Sequence, residues 1–408
     1  MKSLGIYVQV PFCQTKCTYC NFHTGVVEKE RFRPYVEAVC KEIRQHPQLL
    51  SAARVDWQGC LGPSRARPLQ GENGRVAAES EGFLVDTVYF GGGTPSLLEA
   101  RHLQEIVEEI RRTFSTAFEE VTLEADPETV DEEKAAGWVR AGINRVSFGV
   151  QSFSDKELKA AGRMHRRADI YRAVPILREA GIRNISFDLI AGLPHQTKDS
   201  WKQSLAQLIS LEPEHVSVYL LEVDEGSRLG RELLGGGTRY SAGSVPSDDE
   251  MAEFYEMAQA ALGAAGYRHY EISNWAKPGF ESKHNLKYWR REAYVGLGAG
   301  AHSFSGKQRW ANAHDAAAYV HAIESGRLPV EQLETVTGEQ ALDEELFLGL
   351  RQLDGIDVGR IEREYGVRLQ ERFAELAAAG LVERAGDVVR LAEERLSVSN
   401  EVFVELMK

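Results

Sequence analysis

The chain has 408 residues, 43% of them hydrophobic and 27% charged, with a formal net charge of −13. That is the balance of an ordinary globular protein, too long for one small domain and too acidic for a nucleic-acid binder, which shows a basic face. No apolar run reaches the roughly 18 residues of a membrane span. The first residues, MKSLGIYVQVPFCQTKC, hold neither an uninterrupted apolar core nor a small-residue cleavage site, so a cytoplasmic location is expected.

Taken in chain order, β-like and helical patterns alternate. A strand is expected over Gly5–Val10, followed by a cysteine-bearing loop and a helix over Arg31–His46. Residues 56–83, with LGPSRARPLQGENGR, have little periodicity and read as a surface insertion. Strands then follow at Val85–Phe90, Glu120–Ala125, Arg145–Val150, Asn184–Ile190 and His215–Leu221, rich in residues that suit pleated, half-buried positions. Between them Leu97–Phe114, Asp131–Ala141, Ala168–Ala180 and Ser200–Leu211 carry apolar residues at helical spacing. Gly137, Gly142 and Gly181 are placed to end helices. This alternation predicts an α/β fold with parallel strands and right-handed crossovers. Six such units curve into a partial (β/α) barrel of TIM type, with functional residues at the C-terminal strand ends. Residues 235–249 read as a loop, with a helix starting at Ser247. From about residue 311 the chain is mainly helical and closes on β-like runs over Leu381–Leu391, a winged-helix-like pattern. Residues 339–408 hold 16 acidic and 9 basic side chains, which suits a covering or protein-contact module better than a DNA reader. The expected division is a barrel over 1–225, an extension over 226–310 and a C-terminal domain over 311–408.

There are five cysteines, too few for a disulfide scaffold. Cys40 and Cys60 stand apart as bystanders. Cys13, Cys17 and Cys20 form C-x3-C-x2-C directly after the first strand. Clustered thiols in a reducing compartment read as a metal site. Three thiolates on one loop can hold three irons of a [4Fe–4S] cube and leave the fourth open to a ligand, whereas an electron carrier closes the cluster with four. Structural zinc, with His23 as fourth ligand, is the alternative.

C-x3-C-x2-C after the first strand of such a chain resembles the radical S-adenosylmethionine superfamily. The resemblance implies a cluster on Cys13, Cys17 and Cys20 and S-adenosylmethionine at the open iron. Further strings, YVQVPFCQTKCTYC, FGGGTPS, LEADPE, RVSFGVQSF and FDLIAGLPHQT, resemble the oxygen-independent coproporphyrinogen III dehydrogenase group over most of residues 4–225. This implies cofactor contacts at Tyr7, Tyr19, Gly92, Gly93, Thr94, Glu124, Gln151, Arg163 and Asp188. Two departures set the chain apart from that enzyme. Phe22 stands where the enzyme has a further cysteine, and the first strand begins almost at once, without the enzyme's N-terminal extension.

Another string, His284-Asn285-Leu286-Lys287-Tyr288-Trp289, resembles the haem-binding signature of the HemW haem chaperones. An imidazole or a phenolate can ligate haem iron, an indole can stack on a porphyrin, and His284 and Tyr288 would share a helix face. The resemblance implies haem binding near His284, Tyr288 and Trp289, transfer to a haem-acceptor protein and an electron donor for the cluster, and leaves room for a homodimer. Decarboxylation of coproporphyrinogen is the enzymatic alternative, and a zinc-stabilised interaction protein a third. His165, His195, His215 and His269 read as ordinary core or surface residues; His302, among glycines, could line a pocket.

Overall fold

A computed structural model describes residues 2–22, 24–52 and 82–406. His23, Cys60 and most of the 56–83 insertion lie outside the described residues. The six expected strands all form: β1 Lys2–Val10, β2 Phe83–Gly92, β3 Thr116–Ala125, β4 Arg145–Gln151, β5 Asn184–Ala191 and β6 His215–Leu220. So do the crossover helices: α1 Phe32–Ala52, α2 Ala100–Thr113, α3 Glu132–Ala141, a short α4 Asp155–Ala160 ahead of α5 Arg167–Ala180, and α6 Lys198–Ser210. Gly142 and Gly181 cap α3 and α5 at φ 96° and 102°, a backbone that favours glycine. Gly137 instead lies inside α3, where a Cβ would collide with that of Ala100 on α2. It ends nothing and lets the two helices close.

A covered parallel sheet usually reads as unbroken apolar runs. Here the strands alternate, and each face has its own partner. Val121, Leu123, Val146, Phe148, Phe187, Val216 and Val218 point to the helices and are buried in one core. The intervening residues, among them Glu124, Arg145, Ser147, Asp188 and Ser217, turn inward onto a cavity. An ordinary closed barrel fills its interior with branched apolar side chains; this one keeps a polar interior, as a ligand site requires.

The remaining chain extends the same sheet on both edges. After α7 Arg228–Leu234 and α8 Asp248–Ala264, which starts on a Ser247–Glu250 capping box, β7 Arg268–Glu271 and β8 Asn274–Ala276 add antiparallel strands beside β6. The helix α9 Lys283–Trp289 then leads to β9 Tyr294–Leu297, which pairs in parallel with β1 as a seventh parallel strand. Next come β10 His302–Phe304, β11 Gln308–Asn312, α10 Ala316–Glu324 and β12 Val330–Thr335. The order is β12-β11-β10-β9-β1-β2-β3-β4-β5-β6-β8-β7. The sheet therefore does not break at 225 or 310. A smaller unit follows: α11 Gly338–Leu350, β13 Ile356–Asp357, α12 Val358–Tyr365, α13 Gln370–Ala378, the hairpin β14 Val382–Ala385 and β15 Val388–Leu391, and α14 Ser399–Leu406. Helices with a three-stranded sheet β13-β15-β14 give the winged-helix-like pattern. It is tied to β7 where the Ile272 N–H donates to Arg351 O at 3.1 Å and the Leu353 N–H donates to Tyr270 O at 3.1 Å.

The seventh strand is locked to α1 by a buried carboxylate. Glu42 accepts from the Gly298 N–H at 2.9 Å, Asn312 Nδ2 at 2.7 Å and the Tyr319 hydroxyl at 2.5 Å. Burial pushes its carboxyl up to about 7 in spite of these bonds. A folded-state value above the unfolded one means that stability is fully present at low pH and is lost as pH rises from about 4.5 to about 7. In Glu42→Gln this share of the pH dependence is expected to vanish. Melting temperatures of the two proteins across pH 4.5–7.5 check it: the gap should change with pH, and parallel curves would refute the assignment.

Candidate functional site

The cysteine loop is held by backbone. The Gly93 N–H donates to Val10 O at 2.8 Å, the Thr94 N–H to Phe12 O at 2.7 Å, the Gly25 N–H to Pro11 O at 2.9 Å and the Thr18 N–H to Ala161 O at 3.0 Å. Phe12 stacks on Phe32 of α1 with ring centres 4.7 Å apart. The glycines after β2 are sized to this loop: a Cβ on Gly92, at φ 110°, would strike the Gln9 side chain, and one on Gly93 the Phe12 carbonyl. Gly93→Ala is thus expected to prise the loop from β2, with a stability loss of about 1–3 kcal/mol, read by thermal melting. Iron loading should fall with it, and unchanged loading and melting would show that the loop tolerates the shift.

All three cysteines are free thiols at one mouth of a cavity of about 660 Å³, within the usual size of ligand sites. Burial raises the Cys13 and Cys20 thiols. Cys17 is the most covered, and Arg163 Nη1 donates to its Sγ at 3.4 Å. Arg163 also pairs with Asp126 through Nη2, which donates to Gly149 O at 3.0 Å, so a guanidinium is fixed against the thiol that must become a thiolate. Among the described residues no three His, Cys, Asp or Glu side chains converge on one ion. A single zinc needs its ligands on one shell at about 2.3 Å, whereas a cube takes each thiolate on a different iron. Three thiols on one loop, one of them beside a fixed cation, fit the second donor set.

The other expected contacts fall around the same cavity. Tyr19, Gly92, Gly93, Thr94, Glu124, Gln151, Arg163 and Asp188 all line it. Glu124 accepts from the Tyr89 hydroxyl at 2.9 Å and the Gly92 N–H at 3.0 Å, and burial pushes its carboxyl up to about 7. Asp188 accepts from Ser147 Oγ at 3.1 Å, and burial raises it also. Gln151 holds φ 63° where the register of β4 and β5 shifts, a strained backbone of the kind found at ligand sites. Tyr7 lies outside the lining and donates to Gln9 Oε1 at 2.8 Å.

The histidine string is placed differently from the expectation. His284 is buried, its ring stacked on Tyr89 at 5.3 Å between centres. Its Nδ1 lies 2.9 Å from Thr87 Oγ1 and its Nε2 2.9 Å from the Tyr288 hydroxyl. The two residues share a helix face as expected, but they bind each other, and the imidazole offers no open nitrogen: to ligate iron it must give up one bond. Burial lowers His284 to about 3. Trp289 stacks under the Arg351 guanidinium at 4.5 Å. The member of the string that reaches the cavity is Asn285. His215 is a buried core residue bonded to Ser186 and Tyr270 at 2.8 Å each, and His302 is exposed beside His314.

Several cavity residues were not anticipated. Asp126, two residues after Glu124, holds Arg163 and accepts from Thr94 Oγ1 at 3.2 Å. Arg145 and Arg351 add two guanidinium groups, and Ser399 and Asn400 bring the C-terminal helix into the wall. The strand alternation carries the signal for Arg145, two positions before Ser147 on the inward face; nothing local marks the C-terminal residues.

Residues 7–208 match the family model of the Radical SAM superfamily and residues 336–394 that of the HemN C-terminal domain. The heme chaperone HemW of Bacillus subtilis is 34% identical over 403 residues, 97% of either chain. The chain belongs to the HemW family. The heme chaperone HemW of Lactococcus lactis is 29% identical over 411 residues, covering 100% of this chain and 98% of its own. In fold the HemW-family chain is like coproporphyrinogen III oxidase, HemN, of Escherichia coli. The TM-score is 0.77 at 20% identity, over 99% of this chain and 90% of that one. No described helix is long and apolar enough to cross a membrane.

Proposed function

We propose that this chain is a haem chaperone of the cytoplasm that binds haem, a [4Fe–4S] cluster and S-adenosylmethionine and passes haem to an acceptor protein. The observation that carries it is full-length likeness to the heme chaperone HemW of Bacillus subtilis, at 34% identity, in a chain whose three loop cysteines open on a polar barrel cavity. Cys13, Cys17 and Cys20 would hold the cluster, whose open iron supplies a chelation point for the amino and carboxyl groups of the methionine moiety. Gly92, Gly93 and Thr94 would bring backbone close to that moiety, Glu124 and Asp188 would accept from cofactor hydroxyls or amine, and Tyr19, Gln151 and Arg163 would close round it. Tyr7 would act from beneath, through Gln9. An electron donor for the cluster and a second copy of the chain belong to the same reading.

Haem is the cargo, and the 284–289 string is tied to the cavity through Asn285. Anaerobic titration with haemin is the test: the cluster-loaded protein should give a saturable absorption band, and lack of binding would reject the reading. His284→Ala in the same titration decides whether the imidazole ligates, since a ligand's loss abolishes the band and a packing residue's loss leaves it. Incubation of the reduced protein with coproporphyrinogen III should yield no protoporphyrinogen; stoichiometric product would instead make it the dehydrogenase.

A further inference from the structure

The inner end of the barrel cavity holds a buried cation that has no ion-pair partner among the described residues. Arg145 opens β4, is 2% exposed and lines the cavity. Its one hydrogen bond is a long one, from Nη1 to Thr122 Oγ1 at 3.5 Å, and its buried Nε has no partner. Two carboxylates, Glu120 and Asp188, favour its charge from beyond ion-pair distance, and their oxygens are hydrogen-bonded elsewhere. Glu120 accepts the N–H groups of Lys283 and His284 at 3.0 and 3.1 Å. Asp188 accepts the hydroxyls of Ser147 and Ser186 at 3.1 and 3.5 Å. The second cation at this end, Arg351, is compensated: its Nη2 lies 3.3 Å from Glu271 and its guanidinium stacks on Trp289. A buried charge is normally paired, because leaving it unpaired costs several kcal/mol. Arginine presents a planar fork of donors that matches a carboxylate in two-point contact.

We infer that Arg145 is the anchor of a carboxylate-binding subsite at the inner end of the cavity, which takes a carboxylate arm of the bound ligand. On the haem-chaperone reading, on which this rests, that arm is a propionate of the cargo. The subsite accounts for the polar inward face of β4, β5 and β6, where Ser147, Asp188 and Ser217 line the cavity together with the guanidinium. It also gives a strongly acidic chain a local attraction for an anionic porphyrin that its net charge of −13 does not supply.

The probes are haemin and its dimethyl ester, in which both carboxylates are blocked, titrated by absorption against the cluster-loaded full chain. A charge-assisted bond is worth about 1.5–3 kcal/mol, so haemin should bind roughly tenfold to a hundredfold more tightly than the ester. Arg145→Met should bring haemin down to the ester's affinity and leave the ester within about twofold, and Arg145→Lys should recover part of the difference. Equal affinity of the unaltered protein for haemin and ester overturns the subsite, whatever the variants do, while the haem reading stands. Discrimination that persists in Arg145→Met overturns the assignment to Arg145. Binding of neither probe rejects the haem reading itself. Should Arg145→Met fail to fold, the two titrations of the unaltered protein still decide.

Discussion

Replacing Cys17 by alanine is expected to reduce iron after anaerobic reconstitution from about four per chain to well below one, with loss of the brown colour. The prediction is strong because Cys17 is where the loop's electrostatics converge. It is the most buried of the three thiols, and it alone receives the Arg163 guanidinium. The loop itself should survive, since the bonds from Gly93, Thr94, Gly25 and Thr18 that pin it are all backbone to backbone. Melting of the metal-free variant should therefore match that of the metal-free parent. Cys40 is the internal control: it is buried on α1, burial pushes its thiol up to about 11, and Cys40→Ala should load iron normally. A Cys17→Ala protein that still took up four irons would remove the three-thiolate assignment. A colourless parent with one zinc would remove it as well.

The barrel was legible because period-2 alternation and helical spacing are local properties. RVSFGVQ and NISFDLIA show which residues face the helices before any fold is known, and β4 and β5 begin where that alternation begins. The strand ends, with the cysteine loop and Gly91–Thr94, followed from the rule that parallel α/β units place ligands there. What escaped depends on distant parts of the chain. β9 is only four residues, YVGL, too short to show a period, and it is a strand because β1 has a free edge. Nothing beside Asp126 in the sequence marks its role, because its partner Arg163 lies 37 positions away. Arg145 sits at a strand start, where a charged residue usually faces water; the alternation puts it on the inward face with Ser147, but that this face is buried depends on the curvature of the whole sheet. The 284–289 string was readable as one helix face, but which way that face points is decided by Thr87 on β2 and Glu120 on β3.

That orientation gives the second large effect. His284→Ala is expected to destabilise the fold by about 3–4 kcal/mol at neutral pH. The substitution empties a fully buried site between Gly5, Tyr89 and Tyr288. It also strands the Thr87 and Tyr288 hydroxyls, each of which has the imidazole 2.9 Å away. The pH dependence separates this from a mere loss of volume. Burial lowers the folded-state value of His284 to about 3, against 6.5 for the free side chain. A depressed value means stability that is present above about 6.5 and lost as pH falls toward 3, because the unfolded chain takes up the proton first. The parent should therefore lose this contribution on acidification and the variant should not, so the gap between their denaturant midpoints should narrow from pH 7.5 to pH 5. A gap that stayed constant would mean the imidazole is not held neutral in the folded protein. A gap that widened would place His284 as a charged group with an acidic partner, and its two neutral hydrogen bonds would have to be redrawn.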